Sequence, residues 1–173
     1  MNNPIIYVDP SGHIAISTLV WIIFGTAVLA TVGIITYGAL TDTPVVLNLS
    51  ASLNTGAEVG YKVGRSIVFD FKNDNIEFYG HQGITYGVNA NTFGFFYSPG
   101  IILNYENPGD NGGTFKNFGD VKFWGIDHCY DPRKNHSDSV QAYSITFGNN
   151  KGVYFGEDEY YYWEKMKVPK WMR

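Results

Sequence analysis

A dense group of residues able to do acid–base or phosphate chemistry lies between positions 127 and 138, in the segment DHCYDPRKNHSD. His128 and His136 are of the type most often used for general acid–base catalysis, and the neighbouring carboxylates could orient them. Arg133 and Lys134 carry the positive charge that stabilises a phosphoryl transition state. A metal-independent nuclease needs such a set, with the histidines as acid and base and a cation on the phosphate. These four residues are therefore the candidate catalytic residues.

The same segment has a simpler interpretation as a solvated hairpin loop, because loops between strands are commonly polar. Zinc binding would use the two histidines with Cys129, but their spacing fits no zinc signature. No metal and no cofactor are therefore expected. His81, which follows Gly80 and precedes Gln82-Gly83, is predicted to be a turn residue. The chain contains no G-x-S-x-G, Walker, H-E-x-x-H or C-x-x-C motif.

The elements that position these residues are predicted to be strands. From residue 45 to 156, short runs rich in Val, Ile, Tyr and Phe alternate with Gly, Asn and Asp turns. This spacing favours an all-β domain, an antiparallel meander whose curved sheet closes into a barrel or a sandwich. The predicted strands of about five to nine residues favour a soluble sheet, because a membrane barrel needs about 9–11 residues per strand. A membrane barrel, apolar outside and polar inside, is the alternative.

Residues 14–40 form the longest apolar run, IAISTLVWIIFGTAVLATVGIITYGAL, which contains no charged residue, His, Asn, Gln or Pro. A helix needs roughly 20 apolar residues to cross a bilayer, and one unbroken helix satisfies its own backbone hydrogen bonds in lipid. We therefore predict a single transmembrane helix at 14–40 and a linker at 41–44. The alternative is a fully buried helix in a soluble core. A signal peptide fits less well, because no basic residue precedes this long run.

The residues predicted to lie at the membrane interface are aromatic or basic. Trp21 and Tyr37 lie towards the two ends of the apolar run, where interface aromatics often occur. The tail at 157–173 begins acidic and continues basic and aromatic, and clustered Lys and Arg are drawn to anionic headgroups. Its candidate interface residues are Trp163, Lys165, Lys167, Lys170 and Trp171. A last strand followed by a solvated end is the alternative.

Length and charge limit the class of protein. The 173 residues suffice for one ordinary domain plus a tether. The formal net charge of −4 argues against a general nucleic-acid binder, so the expected partner is the lipid bilayer and not nucleic acid. All 12 Lys and Arg residues follow the apolar run, the first being Lys62, which leaves the membrane orientation open. The single Cys129 excludes an intrachain disulfide and leaves the redox compartment open.

The first thirteen residues, MNNPIIYVDPSGH, resemble the closing signature of the core domain in RHS (YD-repeat) proteins. The matching residues are Asn3, Pro4, Tyr7, Asp9, Pro10, Ser11 and Gly12. The resemblance implies that residues 1–13 are a remnant of the core end and that the rest is the C-terminal module of a bacterial polymorphic toxin, a secreted effector delivered to another cell. It also implies an RHS shell and a cognate immunity protein as partners. The repeats and self-cleaving protease residues of that family are absent from this sequence.

Three classes of function follow from these features. The first is a single-pass membrane toxin-like module that acts at or on the bilayer. The second is a membrane-tethered nuclease that uses the 127–138 segment. The third is a membrane-anchored β-domain without toxic activity. The sequence favours the first, because the apolar run is its strongest feature, and leaves open whether the protein is an enzyme.

Overall fold

The computed structural model describes residues 13–54, 59–87, 93–106, 113–135 and 137–167. Within these ranges the chain is one apolar helix followed by an all-β domain, which confirms the predicted fold class. The proposed remnant of an RHS core lies outside the described residues, apart from His13, which begins the helix.

Helix α1 spans His13–Thr41, one residue beyond the predicted run at each end. It ends in a Schellman motif, because the amide of Thr43 donates to the carbonyl of Gly38 at 3.1 Å. Asp42 takes the left-handed conformation that this motif requires, with φ of 52°. Pro44 follows at a position where a helix can no longer continue. The predicted linker is therefore a helix cap that turns the chain directly into the first strand.

Six strands follow α1 in the described part of the chain. They are β1 (Val45–Asn54), β2 (Val59–Asp70), β3 (Asn75–Gly87), β4 (Phe93–Leu103), β5 (Gly113–Tyr130) and β6 (Gln141–Lys167).

The strands are longer than the sequence predicted, because several glycines expected to end strands are members of the ladder. Gly64 pairs with Ser50 on one side and with His81 on the other. The predicted turn at 148–150 lies within β6, where Gly148 pairs with Phe96. β6 also takes in the first part of the predicted tail, since β3 pairs with it as far as Lys167.

The strands close into an antiparallel barrel. Their order is β3-β2-β1-β4-β6-β5, and β3 also pairs with β6, which closes the ring. β6 pairs with β4 through Gly148 and with β3 from Tyr154 onwards. β5 has a register shift between Lys122 and Trp124 and pairs with both parts of β6. β5 and β6 therefore serve as two segments each, which gives eight antiparallel segments.

The barrel interior has an apolar end and a polar end. The apolar end is a buried cluster that includes Val46, Val68, Ile102, Phe115 and Val140. The polar end contains a second set of buried side chains, described below. A separate apolar cluster lies outside the barrel and is made by Val45, Phe69, Phe71 and Ile76, against which α1 packs Ile34, Ile35 and Ala39. The core of the domain is thus divided between the lumen and the contact with the helix.

Helix α1 approaches the barrel through small side chains. Ala27 and Gly38 are buried against it, and the hydroxyls of Thr31 and Tyr97 are hydrogen-bonded at 2.7 Å. A side chain at position 38 would overlap Val45 and the carbonyl of Thr43, so glycine permits the close approach. The segment Val20–Thr41 is long and apolar enough to cross a membrane.

Candidate functional site

A group of polar side chains is buried at the polar end of the barrel interior. It contains Ser50 from β1, Lys62 from β2, His81 from β3 and Asp158 from β6, each no more than 7% exposed. Because successive side chains of a strand point to opposite faces, these inward positions alternate with outward ones, which are apolar beside Ser50 and Lys62 and include Gln82, Glu157 and Glu159 beside His81 and Asp158. The four residues are far apart in sequence and are brought together by closure of the barrel.

Two glycines make room for the group. A Cβ atom at Gly64 would overlap the imidazole of His81, which lies across that glycine towards Ser50. A Cβ atom at Gly83 would overlap the carboxylate of Asp158 in the same way. The two glycines are therefore required by the side chains of the neighbouring strands. His81 is also stacked on Tyr160, with ring centroids 4.8 Å apart.

The geometry follows the order of a serine–histidine–aspartate triad but does not reproduce it. Ser50 Oγ lies 3.3 Å from His81 Nε2. His81 Nδ1 lies 4.0 Å from Asp158 Oδ2, too far for a hydrogen bond. Asp158 is instead engaged by the ammonium group of Lys62 in a buried ion pair. A working triad needs the histidine held by a hydrogen bond to its carboxylate, so the arrangement does not define a hydrolase.

The enclosed space beside these residues inside the barrel is small, although an open hollow of about 400 Å³ lies against Gly64 and His81 and is lined by Arg65 and Tyr161. A cavity of about 20 Å³ is lined by Ser50, Lys62, His81, Thr85 and Asp127, among others. This volume suits roughly one water molecule and no larger substrate. Several of its lining atoms make no hydrogen bond within the described residues, among them Asn48 Oδ1, Ser52 Oγ, Thr85 Oγ1 and His81 Nδ1. The site can hold a water molecule within a polar network.

Burial determines the electrostatics of the group. It lowers the pKa of His81 to about 4, with the positive charge of Lys62 adding to the effect and Asp158 opposing it. Burial also lowers the pKa of Lys62, but attraction to Asp158 and then Asp127 outweighs it, so the net pKa is raised. The imidazole is therefore neutral at neutral pH, and the ammonium group stays charged.

Two neighbouring groups are kept protonated for the same reason. Burial raises the pKa of the Cys129 thiol well above its ordinary value, and the charges of Asp127 and Asp158 raise it further. Burial likewise raises the pKa of the Tyr160 hydroxyl. Neither group can therefore act as an anionic nucleophile near neutral pH.

A second buried carboxylate lies in the apolar end of the barrel. Glu77 accepts hydrogen bonds from the hydroxyls of Tyr79 and Tyr105, the second at 2.8 Å. Burial raises the pKa of both tyrosines, and the hydrogen bond to Glu77 raises it further in each. The bond between the two hydroxyls raises the pKa of Tyr105 and lowers that of Tyr79. Both hydroxyls donate to the same oxygen, Glu77 Oε2, of a carboxylate that is out of contact with water.

The structure places the predicted catalytic residues apart from this interior. His128 lies in β5 and not in a loop, with its ring 4.4 Å from that of Tyr143 and its Nε2 3.2 Å from Gln141 Oε1. Arg133 lies in the following loop and makes two 2.8 Å bonds to the carboxylate of Asp131. Lys134 is exposed beside it, and His136 lies outside the described residues. Their catalytic role stays a prediction.

The predicted interface residues lie on exposed parts of the chain where they are described. Trp21 and Tyr37 are 70% and 51% exposed on α1. Lys165 and Lys167 are exposed at the end of β6. Trp163 belongs to the same strand, but its side chain is outside the description, as are Lys170 and Trp171. No group of three or more His, Cys, Asp or Glu residues able to hold a metal occurs among the described residues.

Sequence reasoning missed the interior group. His81 was predicted to lie in a turn, but it lies within β3 and is 4% exposed, so that prediction was wrong. Lys62 and Asp158 were not singled out either. One pattern points to Lys62 but not to Asp158, since Ser50, Ser52 and Lys62 lie between apolar residues of their strands.

The comparisons with known proteins identify no family. The chain matches no family model, and no curated protein matches it. Among solved structures it is similar to the virulence-associated protein VapD from the intracellular pathogen Rhodococcus equi, at 11% sequence identity and a TM-score of 0.47. The similarity covers 69% of this chain and 99% of that one.

Proposed function

We propose that this protein is a membrane-anchored, toxin-like module that is held in the bilayer by α1 and acts at the membrane through its β-domain. The observation that supports this most directly is the bare outer face of α1. Trp21, Leu29 and Leu40 are between 70% and 81% exposed, although the helix is apolar throughout. Large exposed apolar surfaces mark contact with a membrane or a partner. A buried core helix would not leave these residues uncovered.

The polar groups of α1 are also suited to lipid. The hydroxyls of Thr26, Thr31 and Thr41 each donate to the carbonyl four residues earlier, at 2.7 to 2.8 Å. A hydroxyl in hydrocarbon is costly unless it is hydrogen-bonded. Each hydroxyl therefore has a hydrogen-bond partner within the helix and needs no water. This supports a helix that is surrounded by lipid.

The toxin-like part of the proposal rests on the resemblance of residues 1–13 to an RHS core end. Under it, the chain is carried inside an RHS shell, is delivered to another cell and is neutralised by a cognate immunity protein. The interior of the barrel favours no enzymatic activity, because its cavity of about 20 Å³ accepts no substrate. The nuclease alternative gains no support from Arg133, whose guanidinium is bonded to Asp131.

The proposal predicts that one charge in α1 removes membrane binding and toxicity. At Gly33 an added side chain meets nothing within 4 Å, so Gly33→Asp leaves the packing on the barrel intact. A carboxylate at the centre of a spanning helix costs about 3 kcal/mol. We expect the full-length protein to float with phosphatidylcholine–phosphatidylglycerol vesicles and to stop the growth of bacteria that express it, and Gly33→Asp to lose both.

Gly33→Ala is the matched control and should behave as the wild type. Toxicity that survives Gly33→Asp but disappears in His128→Ala would replace the proposal with the nuclease. Normal growth of cells expressing the wild type would leave a membrane-anchored domain without toxic activity. A wild-type protein that stays at the bottom of the flotation gradient would refute the membrane anchor itself.

A further inference from the structure

The outer surface of the barrel is apolar over much of its circumference. The outward side chain of Arg65 on β2 is exposed beside Leu49, its partner in the register. Six apolar outward side chains on β1, β2 and β4 are between 45% and 60% exposed. We call them the apolar wall, and they are Leu49, Leu53, Tyr61, Val63, Phe93 and Phe95. The strand register makes this surface continuous, because Leu53 pairs with both Tyr61 and Phe93. In a soluble barrel the outward-facing side chains are mostly polar, because they contact water.

Helix α1 runs along β4 at the edge of this wall. Gly38 packs against Val45, which pairs with Ile101, and Thr31 is bonded to Tyr97. Between these two contacts, from Thr31 to Gly38, the helix advances about 10 Å at about 1.5 Å per residue. From Tyr97 to Ile101, β4 advances about 13 Å at about 3.3 Å per residue. The two elements therefore run side by side, and the Phe93 end of β4 lies level with the part of α1 that precedes Thr31.

The apolar surface continues on the other side of α1. β6 is the second neighbour of β4, and β5 follows it in the sheet. Trp124 and Ile126 of β5 are 68% and 65% exposed there. The helix therefore lies in the middle of an apolar half of the barrel.

The opposite half of the barrel carries charged and amide side chains on its outer surface, next to the exposed apolar side chains of Ile84, Tyr86 and Phe155. Lys116 of β5 and Glu157 of β6 are exposed and directly opposite one another in the sheet. Gln82 bonds to the hydroxyl of Tyr161 at 2.8 Å, and Tyr161 bonds to Glu159. The other bond of Gln82, to the hydroxyl of Tyr61, marks the border with the apolar wall. Such a row of charged and amide groups belongs in water. It also excludes a barrel that is surrounded by lipid on all sides, because the carboxylates would then face hydrocarbon.

We propose that the barrel lies side-on in the bilayer, with the apolar wall against lipid acyl chains next to α1 and the polar half in water. The inference rests on the proposed membrane anchor, since α1 fixes the depth of the wall. β4 is 11 residues long, within the range of about 9–11 that strands need to cross hydrocarbon. The objection from the sequence, that the strands are too short for lipid, is thereby removed. The occupant of the wall is lipid and not a second copy, because the wall is continuous with the bare face of α1.

The inference is tested with an environment-sensitive fluorophore on single cysteines of the full-length protein. Phe95→Cys and Val63→Cys place the label on the apolar wall, and Glu159→Cys places it on the polar half. All three positions are exposed, so the substitutions leave the core intact. The wild type is the labelling blank, because Cys129 is buried. Vesicles of phosphatidylcholine and phosphatidylglycerol are used with and without a doxyl-labelled lipid.

We expect the two wall labels to shift to shorter wavelength on vesicles and to lose most of their emission when the doxyl lipid is present. The Glu159→Cys label should keep its aqueous spectrum. Wall labels that remain aqueous on protein that floats would overturn the inference and leave the anchor standing. Wall labels that shift without quenching would also overturn it, because a second copy would then cover the wall. Protein that fails to float refutes the proposed function instead.

Discussion

The imidazole of His81 lies between the hydroxyl of Ser50 and the carboxylate of Asp158, out of contact with solvent. Its pKa of about 4 in the folded protein is below the ordinary value of 6.5, first because of burial and then because of Lys62. Between these two pH values the unfolded chain binds a proton that the folded chain does not. The free energy of unfolding therefore falls as the pH is lowered from 6.5 to about 4.

The first prediction follows from this difference. From the two pKa values, His81 contributes roughly 3 kcal/mol to the pH dependence at about 1.4 kcal/mol per pH unit. We expect His81→Gln to flatten the curve of unfolding free energy against pH between 4 and 6.5. The measurement is urea unfolding in detergent at a series of pH values.

His128→Gln is the matched control, because that ring lies on the outside of the barrel. The charged groups that act on His81, namely Lys62, Asp158 and Arg65, are unchanged in both variants. Equal slopes for the wild type and His81→Gln would show that His81 is not held neutral by the barrel.

At the scale of elements, the position of Gly38 controls how α1 meets the barrel. A side chain there overlaps Val45 and the carbonyl of Thr43. Gly33 is on the same helix, and a side chain there meets nothing within 4 Å. The two glycines form a natural pair of test and control.

We expect Gly38→Val to destabilise the protein and Gly33→Val to leave it nearly unchanged. Overpacking of this kind costs about 1–3 kcal/mol, and each kcal/mol lowers Tm by about 2–4 °C in a protein of this size. Thermal unfolding followed by circular dichroism in detergent measures the difference. Equal Tm values for the two variants would mean that α1 does not dock on the barrel.

Much of the element order could be predicted from the sequence, and the strand lengths could not. The helix was predictable because a charge-free run of that length has few alternatives in physical terms. The continuity of the strands could not be predicted, because Gly64 and Gly148 look like the ends of strands in the sequence. Each is required by a group on a neighbouring strand, His81 for Gly64 and the carbonyl of Phe95 for Gly148. A single sequence does not show which distant side chain fills the place of a missing Cβ.

The interior site was hidden for a related reason. Lys62, His81 and Asp158 are spread over three strands, and each looks like an ordinary polar residue of a solvated face. Their burial follows from the direction in which each strand points its side chains, and a shift of one residue reverses that direction. The strand register of the closed barrel determines which of these side chains point inward.

At the scale of the whole molecule, the barrel is closed along its axis. Lys62 and Asp158 form an ion pair inside the lumen over Gly83 of the strand between them, and the cavity of about 20 Å³ beside them is the size of roughly one water molecule. Action at the membrane, under the proposed function, therefore does not use the lumen as a channel.

The last prediction concerns permeability. We expect vesicles that bind the protein completely to retain an encapsulated fluorescent dye, because the lumen has no continuous water path. Dye dequenching measures this, and a pore-forming peptide on the same vesicles is the positive control. Rapid release at protein concentrations that give full flotation would contradict a closed lumen.

The burial of Cys129 affects how the domain would respond to transfer between reducing and oxidising environments. A thiol reacts with oxidants and disulfides as its thiolate, and here both access and ionisation are suppressed. The folded domain therefore carries no bond that a reducing cytosol could break and no thiol that an oxidising medium could easily cross-link. Passage between two such environments would leave its covalent structure the same on both sides.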